Sequence, residues 1–208
     1  MTERTFSIKT DFSMMALLLI PIAVAINFVG GQIAGILNLP IFLDVIGTIL
    51  VAMLCGPWVG GVAGVATNLI LGITRPTMIP FALVNLVVGL SIGFFARYGW
   101  LALNDSVGKI WWKWVVSIGV MTIISVLTSA PIVVFVFGGL TGGGSGLVTA
   151  AFLQAGANLW NAVLTGAILT TSADRILAAI FAILIIKVIP ARTLTKFSLG
   201  EYYIKETG

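Results

Sequence analysis

The feature that most constrains this chain is a succession of apolar runs, several as long as a bilayer is thick, with almost no charge inside them. Hydrophobic residues make up 59% of the 208 and charged residues only 9%. A soluble domain carries roughly 25% charged residues. So few charges cannot cover a water-facing surface of this size, whereas lipid needs no such cover. In hydrocarbon the backbone must satisfy its own hydrogen bonds, which leaves helices or a closed barrel. The runs are continuous, without the period-two alternation of barrel strands, and so read as helices.

A span takes about 20 apolar residues. The runs place a first span at Met14–Gly31 and a short second one at Phe42–Cys55. The third is Trp58–Ile73, the fourth Ile79–Phe95 and the fifth Trp111–Phe137. The sixth ends at Ile189 and begins somewhere between Val148 and Ala162. Gly56-Pro57 separates the second run from the third, which predicts a tight helical hairpin. The expected fold is therefore an all-α membrane protein, a bundle of six transmembrane helices. No linker composition interrupts residues 1–208, so one domain is expected. Arg4, Lys9 and Ala23-Val24-Ala25 imitate a cleaved signal, but apolar sequence continues past that point and the first run reads as a retained span.

Lys and Arg set the orientation. With six spans and a cytoplasmic N-terminus, Arg4, Lys9, Arg97, Lys109, Lys113, Lys187, Arg192, Lys196 and Lys205 all fall on the inner side, and both termini are cytoplasmic. Arg75 alone lies near an outer loop, while Arg175 falls within the sixth run. This asymmetry accounts for the sequence pI of 9.5 without nucleic acid. Trp111, Trp112 and Trp114 beside Lys109 and Lys113 read as an interfacial anchor on that side.

Several chemistries are excluded. The chain has no histidine, so His-dependent triads and histidine metal sites are absent. The Gly-rich stretch Gly138–Gly146 lacks the Lys-Ser/Thr pair of a nucleotide-binding loop. The acidic residues show no metal-ligand spacing. The lone Cys55 can form no internal disulfide and reads as a small apolar filler. No enzyme, cofactor or metal centre is expected.

The polar groups inside the spans are the informative ones, because each is costly in a membrane. Gly56, Gly60, Gly64, Asn68 and Gly72 repeat every four residues, as do Phe81, Asn85, Gly89 and Gly93. The glycines read as packing faces. Asn68 and Asn85 face each other across the Ile73–Ile79 turn, as an interhelical hydrogen bond or as ligand contacts. Asp44, Thr48, Thr67, Thr74, Arg75, Gln154, Asn158 and Asn161 gather at the same outer depth. Asn27, Gln32, Phe28, Phe42, Phe81, Phe152 and Trp160 add a polar and aromatic rim. Asp174-Arg175 falls in the outer half of the sixth run, either as part of a buried ion pair, with Asp44 or Arg75 as partners, or as a ligand contact. The inner halves of these helices are nearly devoid of polar groups. That pattern describes an outward-facing cavity and no through-channel.

The stretches Phe42-Leu43-Asp44-Val45-Ile46-Gly47-Thr48, Gly56-Pro57-Trp58-Val59-Gly60-Gly61, Thr67-Asn68-Leu69-Ile70, Pro80-Phe81 and Asn85 resemble the substrate-binding S components of energy-coupling factor (ECF) vitamin transporters. The resemblance runs from the first span to the sixth and includes the Gly-rich outer loop. It implies a six-helix, multi-pass subunit of the bacterial plasma membrane that binds a vitamin near the outer face. It also implies two kinds of partner, a transmembrane coupling subunit and a pair of cytoplasmic ATPases. The expected substrate-binding residues are Asp44, Thr48, Thr67, Asn68, Arg75, Phe81, Asn85, Gln154, Asn158 and Asn161. The family's small-residue docking surface on the first helix is degraded here to Ala16, Ile20 and Val24. Ala16 with Gly56, Gly60 and Gly64 is the docking face expected instead. Neutral amides and aromatics, with a loop of many glycines, suit cobalamin as substrate, ahead of riboflavin, a pyridoxine-type vitamin or a queuosine precursor. A stand-alone secondary carrier or channel, and a structural or enzymatic membrane subunit, stay open as other classes.

Overall fold

A computed structural model describes residues 11–103 and 107–204. Arg4, Lys9 and Lys205 of the basic set lie outside the described residues, as does the side chain of Lys109. Among the described residues the chain is helical and contains no strand. In order the helices are α1 (Met14–Ile36), α2 (Ile46–Cys55), α3 (Pro57–Thr74), α4 (Ala82–Arg97), α5 (Val107–Phe137), α6 (Gly143–Gln154), α7 (Leu159–Val188) and α8 (Ala191–Leu194). A 3-10 turn, Pro76–Phe81, joins α3 to α4, and another, Gly200–Tyr203, follows α8.

Five helical segments are long and apolar enough to cross a membrane: α1, α3, α4 with its preceding turn, Trp111–Phe137 of α5, and α7. The second run behaves differently. Its helix has only ten residues, about 15 Å at 1.5 Å per residue, or roughly half of a hydrocarbon core about 30 Å thick. It starts at Ile46 and not at Phe42, because Leu43 adopts a left-handed backbone (φ 54°) that no helix accommodates. All ten residues are buried. Helix α2 packs against α1, α3, α4 and α7 and is the centre of the bundle.

The remaining departures from the sequence reading have local causes. Helix α1 continues past Gly30-Gly31 to Ile36, since those glycines serve close approach and not termination. A Cβ on Gly30 would strike the Leu43 backbone, and one on Gly31 would meet Leu71. The sixth run is two helices, with α6 and α7 separated at Gly156 (φ 91°). Asn158 then caps α7, its side chain accepting from the Asn161 amide at 2.9 Å. The Gly-rich stretch is loop only in its first part, because α6 begins at Gly143. The hairpin at Gly56-Pro57 is present: Gly56 has φ 98° and Pro57 opens α3.

The glycine stripes lie inside the bundle. Gly60 faces Ala52 of α2 and the Gly89 carbonyl of α4, Gly64 backs onto Asn85, and Gly93 lies on Pro57. Gly56 and Ala16 are likewise buried. Ala16, Gly56, Gly60 and Gly64 are therefore consumed by packing within the chain, and the docking face expected from them is not on its surface. The surface is instead apolar and lipid-like, with Leu17, Ile22, Leu69, Ile123, Leu127, Leu169 and Leu184 exposed.

One end of the bundle is closed by the C-terminal segment. Leu194, Phe197, Leu199 and Tyr203 are buried beneath α2, and the Leu199 amide donates to the Leu54 carbonyl at 3.0 Å. That bond satisfies a carbonyl left open at the helix end. Arg97 pairs with Asp11 at this end. Burial holds the Asp11 carboxyl above its usual pKa, more than the Arg97 charge beside it lowers it. Lys113, Lys187, Arg192 and Lys196 belong to the same end by chain topology.

Close packing of α3 on α4 gives a direct test. A Cβ at Gly89 would land on the Gly60 and Gly61 backbone. Gly89→Ala should cost about 1–3 kcal/mol by overpacking and lower the melting temperature in detergent. Gly119→Ala, where nothing lies within 4 Å of an added Cβ, should leave it unchanged or slightly raised.

Candidate functional site

Because α2 fills only one half of the bundle, the other half is left to a cavity. Its floor is the entry to α2, and its walls come from α1, α3, α4, α5, α6, α7 and the loop before α2. The volume is about 120 Å³. Gly31, Ala34 and Gly35 of α1 contribute one wall, Leu71 and Arg75 the next, and Phe81, Val84 and Asn85 a third. Ser125, Ser129 and Val133 of α5 face it, as do Thr170, Thr171 and Arg175 of α7. Residues Thr141–Ser145 and Thr149 close it from the α6 side.

Three polar networks shape this half. The first holds the loop ahead of α2. Asp174 Oδ1 accepts from the amides of Phe42 (2.9 Å) and Leu43 (2.7 Å). Its other oxygen accepts from Arg175 Nη1 at 2.5 Å. Arg175 Nε also reaches Ser125 Oγ at 3.4 Å, tying α7 to α5. A buried carboxylate with a cation and two amides is well satisfied, and it holds Leu43 in its left-handed conformation.

The second network runs along the cavity wall. Asn85 Nδ2 donates to Asn68 Oδ1 and, at 3.4 Å, to Asp44 Oδ2. Asn68 Nδ2 donates in turn to the Met78 carbonyl at 2.9 Å. The third lies below the cavity. Asn27 Nδ2 donates to Thr48 Oγ1 and Thr67 Oγ1, each at 2.9 Å, while Asn27 Oδ1 accepts from the Gly47 amide at 2.6 Å. Thr67 Oγ1 also donates to the Ala63 carbonyl at 2.8 Å. Every polar atom of the Asn27 side chain is engaged in joining α1, α2 and α3.

The sequence-derived site residues thus divide. Asp44, Arg75, Phe81 and Asn85 line the cavity together. Asn68 stands behind Asn85 and orients it. Thr48, Thr67 and Asn27 form a buried knot away from the cavity. Gln154, Asn158 and Asn161 are exposed near the α6–α7 break and do not line it. The hydroxyls of Ser125, Ser129, Thr149, Thr170 and Thr171 were not singled out from the sequence. For four of them the signal was available as small polar residues on α5 and α7, Ser125 with Ser129 and Thr170-Thr171 with Arg175, at helical spacing, while Thr149 stands alone on α6.

The Asp174 network yields a stability test. Asp174→Ala releases two backbone amides and leaves Arg175 buried without its counter-charge. Removal of one partner from such a pair costs about 3–5 kcal/mol. Asp174→Asn keeps an acceptor for the amides and should lose less. Thermal unfolding in detergent should rank wild type above Asn and Asn above Ala.

No curated protein and no solved structure matches this chain. The sequence profile of the ECF transporter substrate-specific component family matches residues 15–186, which is most of the chain. A multi-pass helical subunit with a cavity in one half of its bundle fits that assignment, and this chain belongs to the substrate-specific components of ECF transporters.

Proposed function

We propose that the chain captures a small vitamin-type molecule at the outer face of the bacterial plasma membrane. A coupling subunit and two ATPases then take the substrate over for import. The observation that carries this reading is a cavity with a mostly apolar wall and a few polar groups. It lies in one half of the bundle and reaches Asp44, just ahead of α2, whose ten residues are all buried. A capture site needs such a floor, and a conducting path would need open polar groups beyond it, whereas Asn27, Thr48 and Thr67 below the cavity are buried and bonded to one another.

Orientation rests on charge. Lys113, Lys187, Arg192 and Lys196 belong to the end opposite the cavity, which is the cytoplasmic end by the positive-inside rule. Counting α2 with the five long helices gives a six-helix bundle with both termini cytoplasmic. Substrate size rests on volume. An apolar cavity of about 150 Å³ holds one benzene-sized ring, and this one is about 120 Å³. That favours a one-ring, pyridoxine-type vitamin over cobalamin, whose corrin ring would require the cavity to open several-fold.

Transport and binding test separate parts of the proposal. Proteoliposomes containing the chain with its coupling subunit and ATPases should accumulate substrate only with ATP. Accumulation by the chain alone would instead make it a secondary carrier. Within the site, Asn85→Ala removes a wall amide that engages Asp44. A buried ligand group left without the Asn85 amide costs about 1–3 kcal/mol, roughly 5- to 150-fold in affinity. Titration of the purified variant against a vitamin panel should show that loss, with Gln154→Ala binding as wild type.

A further inference from the structure

Helix α6 covers one side of the cavity while being held by little. Among the helices it packs closely only on α7, where Thr149 lies against Gly166. Of its twelve residues only Gly144, Gly146 and Thr149 are buried. Its two ends are built to pivot. Gly142 (φ 74°) and Gly143 (φ 68°) lead into it, and Gly156 (φ 91°) follows it. A Cβ added at any of these three would meet nothing within 4 Å. They serve backbone conformation and not close packing. Segments with few buried contacts open at low free-energy cost, and lids are drawn from them.

The first turn of α6 rests on a fixed seat. Asn38 takes a left-handed conformation (φ 49°) after α1, and the Leu39 amide donates to the Ala34 carbonyl at 2.9 Å, which closes that helix end. Gly144 lies against this turn, and a Cβ there would strike the Asn38 and Leu39 carbonyls. Among the described residues no hydrogen bond ties α6 to the turn, so contact alone holds it there. Outside lies a second, more open hollow of about 360 Å³, lined by Asn38, Leu140, Leu147 and Ala150. Gly142 and Gly143 line both this hollow and the inner cavity, so the partition between the two is backbone without side chains. Resting on the reading of the inner cavity as the capture site, we propose that α6 is a hinged lid that closes on the Asn38-Leu39 turn. Gly142-Gly143 is then the door between the outer hollow and the cavity, and Gly144 is the residue that lets the door shut.

The test reads access to the cavity in the purified full chain in detergent. Cys55, the sole natural thiol, is replaced by Cys55→Ala, and Ser129→Cys places a thiol on the cavity wall. The probe is a small charged methanethiosulfonate reagent, and the readout is its rate of reaction. Adding Gly144→Val should raise that rate at least about tenfold, because its clash falls on backbone that cannot yield and the lid is propped open. Adding Gly119→Val, where nothing crowds a Cβ, should leave it unchanged. An equal rate with and without Gly144→Val, in chains of similar melting temperature, overturns the proposal. Hydrogen exchange on the unsubstituted chain stands even if Gly144→Val fails to fold. Amides of α6 should exchange faster than those of α7, and equal protection of the two also overturns the lid. ATP-dependent uptake with the partner subunits alongside an unmoved lid would leave the capture reading intact. Failure to assemble with those partners would remove that reading without touching the access rates of the isolated chain.

Discussion

The structure depends on a helix that is too short. Helix α2 is apolar enough for the bundle centre, yet its ten residues occupy only one half of the membrane's depth. The other half cannot be filled with lipid, because α1, α3, α4, α5 and α7 surround it. It must be filled by side chains or by a ligand, and several of the residues there are small: Gly31, Ala34, Gly35, Ser125, Ser129 and Gly166. Truncating the central helix and lining the vacated space with small residues creates a cavity without weakening the core below. In that core Ile49, Leu50, Met53 and Leu54 are essentially inaccessible.

Ending α2 early has a cost, which the surrounding sequence offsets locally. The chain that enters the helix is half-buried at Phe42 and Leu43, so amides there need partners that water does not fully supply. Asp174 supplies them from α7, and Arg175 neutralises the carboxylate that does so. The adjacent Asp-Arg pair is thus a device for a buried turn, in which the left-handed Leu43 and the glycine face of α1 interlock. The Asn27 knot performs the matching task one turn lower, where α1, α2 and α3 meet. Polar side chains in this protein therefore do two kinds of work at nearly the same depth. Some fasten helices, and others are left facing the cavity.

That distinction marks what the sequence could reveal. The apolar runs were legible because a long uncharged stretch has few other uses, and Gly56-Pro57 announced its own turn. The pairing of Asn68 with Asn85 followed from their spacing across a short connection. Whether an amide fastens or faces a cavity depends on rotation about the helix axis and on neighbours distant in sequence. Asn27, Thr48 and Thr67 looked like rim residues by depth alone, yet they point at one another. Ala16 and the Gly56–Gly64 stripe looked like an external face because small residues permit close approach, but sequence does not say to what. Here the answer is α2 and α4. The break between α6 and α7 was hidden because Gly156 sits within apolar sequence that reads as continuous.

The arrangement also explains why such a chain needs other proteins. A substrate in the cavity rests on about 15 Å of close-packed apolar helix, and beneath that the segment from Leu194 to Tyr203 is folded against the end of α2. Passage straight through would separate α2 from four neighbours at once and expose backbone groups to hydrocarbon. Such groups cost several kcal/mol each when unsatisfied. The Gly-rich segment cannot offset this by nucleotide hydrolysis, since it lacks a phosphate-binding lysine and its second part is the start of α6. Capture and release are therefore separable by construction. The fold supplies a closed floor and a tunable wall, and the work of exposing that wall to the other side of the membrane falls to the partner subunits that the family employs.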